Sequence, residues 1–352
     1  MSKSKTKRLV KTLFIIASLA SLWFVPWILV KAWISPLPNT VQEQVEQAVG
    51  YGFDGMIVYI DKAGEPPVFH SAGLDNRKQK TLTDPHALFK IGSITKLYLA
   101  VATAKLVNDK QLALDKTLAE YLPELSEHIE HANKITLRML SNHRSGIPNF
   151  TNHPGYWDNV PKSRKEKLEL VLDLPADFKP DTDYQYCNTN YLLLAKIMDS
   201  VLGYSFHEYI KNEILIPLEL NNTFSGLQEV DVNSLMSGYY VGFEDDLKTV
   251  DYGINGYGSM VASAQDVGVF LRALNDGSVF NSPEEQALYA SIYVYDHGGL
   301  LPGYQSLAEY HKDLDMVVVQ FMNTTNFEGY NWNLSQIFIN RIVKIMKHKT
   351  NA

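Results

Sequence analysis

The chain has 352 residues, 45% of them hydrophobic, which is enough to bury a large core in one large or two interleaved domains and is not a disordered composition. Its net charge of -7 speaks against nucleic-acid binding, because the one dense basic run is confined to the first eleven residues. The single cysteine, Cys187, excludes an internal disulfide and a zinc-thiolate cluster.

The basic run introduces the first predicted element. Lys3, Lys5, Lys7, Arg8 and Lys11 precede an uncharged stretch over residues 13–30, and only Lys31 follows it closely, the pattern of a positive-inside membrane segment. A span of about 18 residues is near the lower limit for crossing the roughly 30 Å hydrocarbon core. Trp23, Trp27 and Trp33 are placed to meet an interface, and Pro26 can be tolerated there. A cleaved signal peptide competes, with residues 30–32 as a poor cleavage site. The length favours an uncleaved anchor within residues 1–34, and either reading exports the remainder.

Residues 35–39 form a proline-containing linker, and a polar helix-like run over 40–49 opens the soluble domain, which extends to about residue 350. Strands are predicted at 55–60 and 67–72, joined by a turn containing Gly64. A helix follows from Leu97, with Val101, Ala104 and Val107 sharing a side. From about 112 the pattern is helical and loop-rich, which marks an inserted helical subdomain over about 112–255. Within it, residues 191–202 form an amphipathic helix stopped by Gly203. Ser263 and Asp266 match a capping box before VGVFLRAL. Strands return at 305–310 and 316–322, and a last helix covers 332–347. Strands at both ends of a helical middle predict one sheet assembled from the two termini.

Three motifs carry chemistry. In FKIGSITK, Ser93 and Lys96 stand three residues apart at the mouth of a helix, so the amine lies one turn above the hydroxyl. A serine needs a nearby base, and a lysine serves only where burial or a second cation lowers its pKa. The pattern is weak alone, since Ser2 with Lys5 and Ser4 with Lys7 also fit it. In YQYCNTNYLLL, Tyr186 and Asn188 project from a loop entering a helix. A phenol beside an ammonium can be partly ionised and relay a proton, and the amide offers a donor and an acceptor. In HGGLLPGYQS, His297 is followed by Gly298 and Gly299, where substrate can approach the backbone closely. His153-Pro154-Gly155 fits the same H-x-G pattern but lacks the following strand. No G-x-S-x-G surrounds any serine and H-E-x-x-H is absent. His128 and His131 read as solvated helix residues and Cys187 as a small buried group.

Taken in chain order, these motifs resemble the serine β-lactamase and penicillin-recognising hydrolase family, and within it the class C β-lactamases and D-alanyl-D-alanine carboxypeptidases. The resemblance covers residues 55–347 and includes LSNHRSGIPNF and GSMVASAQDV. It implies an α+β, β-lactamase/transpeptidase-like fold: an antiparallel sheet built from both termini, a mostly helical inserted domain, and here one N-terminal membrane helix. It further implies Ser93 as acylated nucleophile, Lys96 and Tyr186 as the proton-transfer pair, and Asn188, His297, Gly299 and Leu300 as substrate-binding positions. The backbone N–H groups of Ser93 and Leu300 would form the oxyanion hole. No metal or organic cofactor is required, and the expected partners are a small peptide, β-lactam or ester substrate and the membrane. The expected place is a bacterial inner membrane, with the catalytic domain facing the periplasm or cell exterior.

Two departures bear on substrate. Gly298 and Leu300 stand where carboxypeptidase relatives place hydroxyl residues to hold a terminal carboxylate, and the interval from Ser263 to His297 is short for a further strand. A D-alanyl-D-alanine carboxypeptidase or penicillin-binding activity is expected first, then a small-ester hydrolase or β-lactamase. A non-catalytic peptidoglycan- or partner-binding surface protein is the rival of a different class.

Overall fold

The structure is a computed structural model that describes residues 3–253 and 255–351. The chain divides into two compact units at the Leu37–Pro38 junction. In the first, the expected single membrane helix is interrupted. A helix over Lys3–Ser21 passes into a 3-10 turn at Leu22–Phe24, and a second helix covers Trp27–Ile34, bent from the first by 78°. Pro26 is the cause: the residue before a proline is driven out of the helical region, and Val25 is extended at φ -72, ψ 127. Among the described residues, no single helix is long and apolar enough to cross a membrane. Both arms nevertheless expose large apolar side chains, among them Phe14, Leu19, Trp23, Phe24 and Trp33.

The second unit begins with α1 (Val41–Val49), capped by a reciprocal box in which Thr40 accepts from Glu43 N–H and Glu43 accepts from Thr40 N–H. Strands β1 (Gly55–Lys62) and β2 (Val68–Asn76) make the expected hairpin, with β3 (Thr81–Leu82) at its edge. Helices α2 (Thr95–Asn108) and α3 (Asn188–Leu202) belong to the middle of the chain, and α4 (Ala264–Asp276) and α5 (Pro283–Ala290) follow. Strands β4 (His297–Leu301), β5 (Tyr304–His311) and β6 (Met316–Met322) precede the last helix, α6 (Asn331–Asn351).

The sheet order is β3-β2-β1-β6-β5-β4, all antiparallel, so the two ends of the unit meet at the β1–β6 pair, Met56 opposite Met322 through Lys62 opposite Met316. Every residue of β6 is buried, so both sheet faces are covered. Gly268 of α4 sits against the Tyr59 ring, where a Cβ would collide with it. The interval before β4 holds only α4, α5 and turns, in keeping with its shortness.

The helical subdomain packs around α2 and α3. The predicted apolar side of α2 understates it: the helix is buried on all sides from Thr95 to Leu106. Gly203 stops α3 in the left-handed region at φ 74, as its type and place require. The capping box at α4 forms only by half. Ser263 accepts from Asp266 N–H, but the Asp266 carboxylate turns to Asn222 N–H and the Thr223 hydroxyl, tying the helix start to the strand Thr223–Phe224. His128 and His131 lie in turns rather than a helix, beside Asp173 and Glu130.

Candidate active site

Ser93 lies in a 3-10 turn, Gly92–Ile94, that feeds directly into α2. Gly92 adopts φ 54, and a Cβ there would meet Leu300 N at 3.1 Å. A Cβ on Gly299 would run into Ile91 O, which accepts a 2.9 Å bond from the Ser306 hydroxyl. Two glycines therefore let the serine turn press against β4 and bring the Ser93 and Leu300 backbones side by side.

Lys96, on the first turn of α2, is completely buried. Its Nζ is 2.9 Å from Ser93 Oγ, 2.8 Å from Asn188 Oδ1 and 2.6 Å from Tyr257 O. No carboxylate pairs with it among the described residues, and burial holds its pKa well below the usual lysine range, with only a weak opposing pull from the Cys187 thiol. Tyr257 was not foreseen from the sequence. Its carbonyl is set by Asn255, whose Oδ1 accepts from the N–H groups of Tyr257 and Gly258 at 3.0 and 2.8 Å.

The Tyr186–Asn188 loop is gripped by the SNHRSGIPNF segment. His143 O accepts from Gln185 N–H at 3.0 Å, and His143 Nδ1 accepts from Cys187 N–H at 3.2 Å. Asn149 Oδ1 accepts from Asn188 N–H at 3.1 Å, and Thr151 Oγ1 accepts from Asn188 Nδ2 at 3.1 Å. The Asn188 amide is thus committed to Lys96 and Thr151, with one amide hydrogen left over for a substrate. Cys187 is buried, its thiol donating to Ile147 O at 3.3 Å, and burial raises its pKa.

The expectation that Tyr186 is partly ionised by the lysine is overturned. Burial pushes its pKa up, with only a smaller downward pull from the Ser93 side chain. The lysine amine lies over the ring, 4.9 Å from its centroid. The hydroxyl is shut from water and lies beside the Ser93 side chain without a well-formed hydrogen bond. Tyr186 is a neutral acid beside a lysine that burial disfavours as a cation.

His297 begins β4 and faces this group, its ring 6.1 Å from that of Tyr186. Nδ1 donates to Gly298 O at 2.6 Å, which leaves Nε2 to accept from the Tyr293 hydroxyl at 2.8 Å. Burial, reinforced by Lys96, lowers the His297 pKa to about 4, so the ring is neutral. Tyr293 and His143 are therefore site residues that sequence reasoning missed. The quoted SNHRSGIPNF turn was the signal for the second, and nothing in the sequence flagged the first.

The family model described as Beta-lactamase matches residues 39–336. A curated relative, the putative penicillin-binding protein PbpX of Bacillus subtilis (strain 168), is 25% identical over 293 residues, covering 78% of this chain and 72% of that protein. Several other curated relatives match over well under half of their own length. Among solved structures, D-amino acid amidase from Ochrobactrum anthropi SV3 superposes with a TM-score of 0.78 at 21% identity, covering 89% of this chain and 99% of that one. EstCE1, a hydrolase with promiscuous acyltransferase activity, superposes with a TM-score of 0.68 at 18% identity, covering 90% and 98%.

Proposed function

The chain belongs to the beta-lactamase family and is a serine hydrolase, and from that premise we propose that it cleaves small, uncharged amides and esters through an acyl-enzyme at Ser93. The observation that carries the mechanism is the surroundings of Lys96. A neutral amine has two hydrogens and one lone pair. Asn188 Oδ1 and Tyr257 O accept the two hydrogens, which leaves the lone pair for the Ser93 hydroxyl.

The steps follow. Ser93 Oγ bonds to the acyl carbon while its proton passes to Lys96. The oxyanion is held by the N–H groups of Ser93 and Leu300, a contribution of about 10²–10³ in rate per donor in acyl-transfer enzymes. Collapse breaks the bond to the leaving group, Tyr186 gives its proton to the departing nitrogen or oxygen, and Lys96 returns the serine proton to the phenolate. Water then attacks the ester by the same relay in reverse.

Uncharged substrates are favoured because, among the described residues, the site offers no fixed cation for a carboxylate. His297 is neutral and capped by Tyr293, and Gly298 and Leu300 bring no hydroxyl. A second reading, D-alanyl-D-alanine carboxypeptidase or penicillin-binding activity, is favoured by the penicillin-binding relative. The exposed apolar surface of the N-terminal unit supports a membrane tether, and the basic run before it favours the hydrolase domain on the outer face.

Intact-mass measurement after separate addition of a 4-nitrophenyl ester, a D-amino acid amide and a fluorescent penicillin tests the reading. Acylation by the first two, absent in Ser93→Ala, is expected. Acylation by penicillin alone would favour the second reading, and acylation persisting in Ser93→Ala would remove the nucleophile.

A further inference from the structure

Beside Tyr186 the surface opens into a cleft of about 250 Å³ whose walls include His143, Tyr184, Tyr186, Ile292, Tyr293 and His297. A cavity of about 150 Å³ is enough to hold a benzene ring. Every side chain that lines this cleft is neutral or, for the two histidines, held neutral by burial, with the His143 pKa lowered to about 3. The rings of Tyr186, Tyr184, Tyr191 and Tyr293 surround His143 at 4.6, 6.0, 5.2 and 5.9 Å between centroids.

Three polar atoms of the cleft's lining residues are buried without a hydrogen-bond partner, the acceptor Asn142 Oδ1 among them. His143 is 2% exposed, and because its Nδ1 accepts from Cys187 N–H, its ring hydrogen is on Nε2, which has no partner. The Tyr186 hydroxyl is the third. A buried donor without an acceptor carries a desolvation cost that a bound acceptor relieves. Tyr184, 59% exposed, lines the cleft with room for its ring to change rotamer as a ligand enters.

We propose that this cleft is the leaving-group subsite and that it selects flat, uncharged aryl amines and alcohols bearing a hydrogen-bond acceptor, which His143 Nε2–H contacts. The inference rests on the reaction proposed above, in which Tyr186 protonates the departing atom. What is attached to that atom must then lie against Tyr186, the wall of this cleft. Aromatic faces on several sides suit a planar group, and the lack of any charged lining side chain disfavours an ionised one.

The test uses one acyl group in two forms, a 4-nitroanilide and a methylamide, and compares the full chain with two variants. Taking each substrate's wild-type to variant ratio cancels its intrinsic reactivity. His143→Asn retains an acceptor for Cys187 N–H, and asparagine tolerates the left-handed φ of 61 found here. It removes the Nε2 donor. Val294→Trp fills the cleft from its exposed rim. Val294→Trp should lower kcat/KM for the nitroanilide by about three- to tenfold with the methylamide within about twofold, and in His143→Asn, whatever loss the two substrates share through the loop it grips, the nitroanilide should lose about three- to tenfold more than the methylamide. Equal losses on both substrates, or none on either, would overturn the subsite. If wild type shows no Ser93 acylation by mass, the reaction falls and the subsite with it. Acylation with unchanged ratios removes the subsite alone.

Discussion

The two halves of the proton-transfer machinery are built in opposite ways. On the α2 side, Lys96 is buried with all three of its hydrogen-bonding positions engaged by Ser93, Asn188 and Tyr257. On the β4 side, Tyr186 and His143 are just as enclosed but present unsatisfied atoms. The first half is complete without substrate. The second is complete only with one, so mutations in the two halves should separate stability from catalysis in different proportions.

The largest effect is expected on the first half. Lys96→Met keeps the length of the side chain but removes the base and leaves Asn188 Oδ1 and Tyr257 O unpaired. Acylation should fall by about 10²–10⁴-fold, the range for a lost general base, and thermal stability should fall with it. A Lys96→Met protein that acylates at wild-type rate would sink the base assignment. Tyr186→Phe should instead lower kcat by about 10²-fold with Tm nearly unchanged, since the hydroxyl it deletes is buried beside the Ser93 side chain without a well-formed hydrogen bond in the free enzyme. A clear drop in Tm for Tyr186→Phe would erase the contrast between the halves.

Next in size is acid sensitivity. His143, His207 and His297 are buried with pKa values lowered to about 3, 3 and 4 from 6.5, chiefly by burial, with Lys96 adding to the first and third and Arg164 to the second. Between those values and pH 6.5 the unfolded chain binds more protons than the folded one, so stability rises with pH in that window. Above pH 6.5 none of this penalty is felt. As pH falls through 6.5 toward 4, each histidine should cost up to about 1.4 kcal/mol per pH unit. Urea midpoints measured from pH 7.5 to 4.5 should fall steeply below 6.5, less so in His143→Asn. A flat profile over that range would place the histidines in contact with solvent.

What the sequence made legible was local in the chain. The Ser93–Lys96 pair depends on one helical turn, and the Asn188 position on a loop entering a helix. Short spacing reports both. Tyr257 reaches Lys96 across 161 residues and acts through its carbonyl, so no side-chain pattern encodes it. The ionisation of Tyr186 was misjudged because the choice between burial and a nearby cation depends on where the amine sits, and it sits over the ring. The break at Pro26 was visible in the sequence, yet the continuous apolar run outweighed it. Asp266 shows the same limit: the motif supplies a cap, but only the fold brings Asn222 and Thr223 within reach of its carboxylate.

The smallest expected effect concerns the β4 side and substrate charge. A hydrogen bond to a charged group contributes about 1.5–3 kcal/mol, so a site that held a carboxylate with two donors would prefer a free acid by tenfold or more. Here His297 donates only to its own strand, its other nitrogen accepts from Tyr293, and Gly298 and Leu300 supply no hydroxyl. A D-alanyl-D-alanine peptide and its methyl ester should therefore differ by less than about threefold in kcat/KM once the ester's greater reactivity is corrected for. Tyr293→Phe sharpens the test by uncapping His297 Nε2 without adding charge at neutral pH. It should leave the ratio unchanged if no carboxylate is recognised there. A strong preference for the free acid in wild type would mean that a cation from outside this cluster reaches the substrate, and would favour the carboxypeptidase reading over the neutral one.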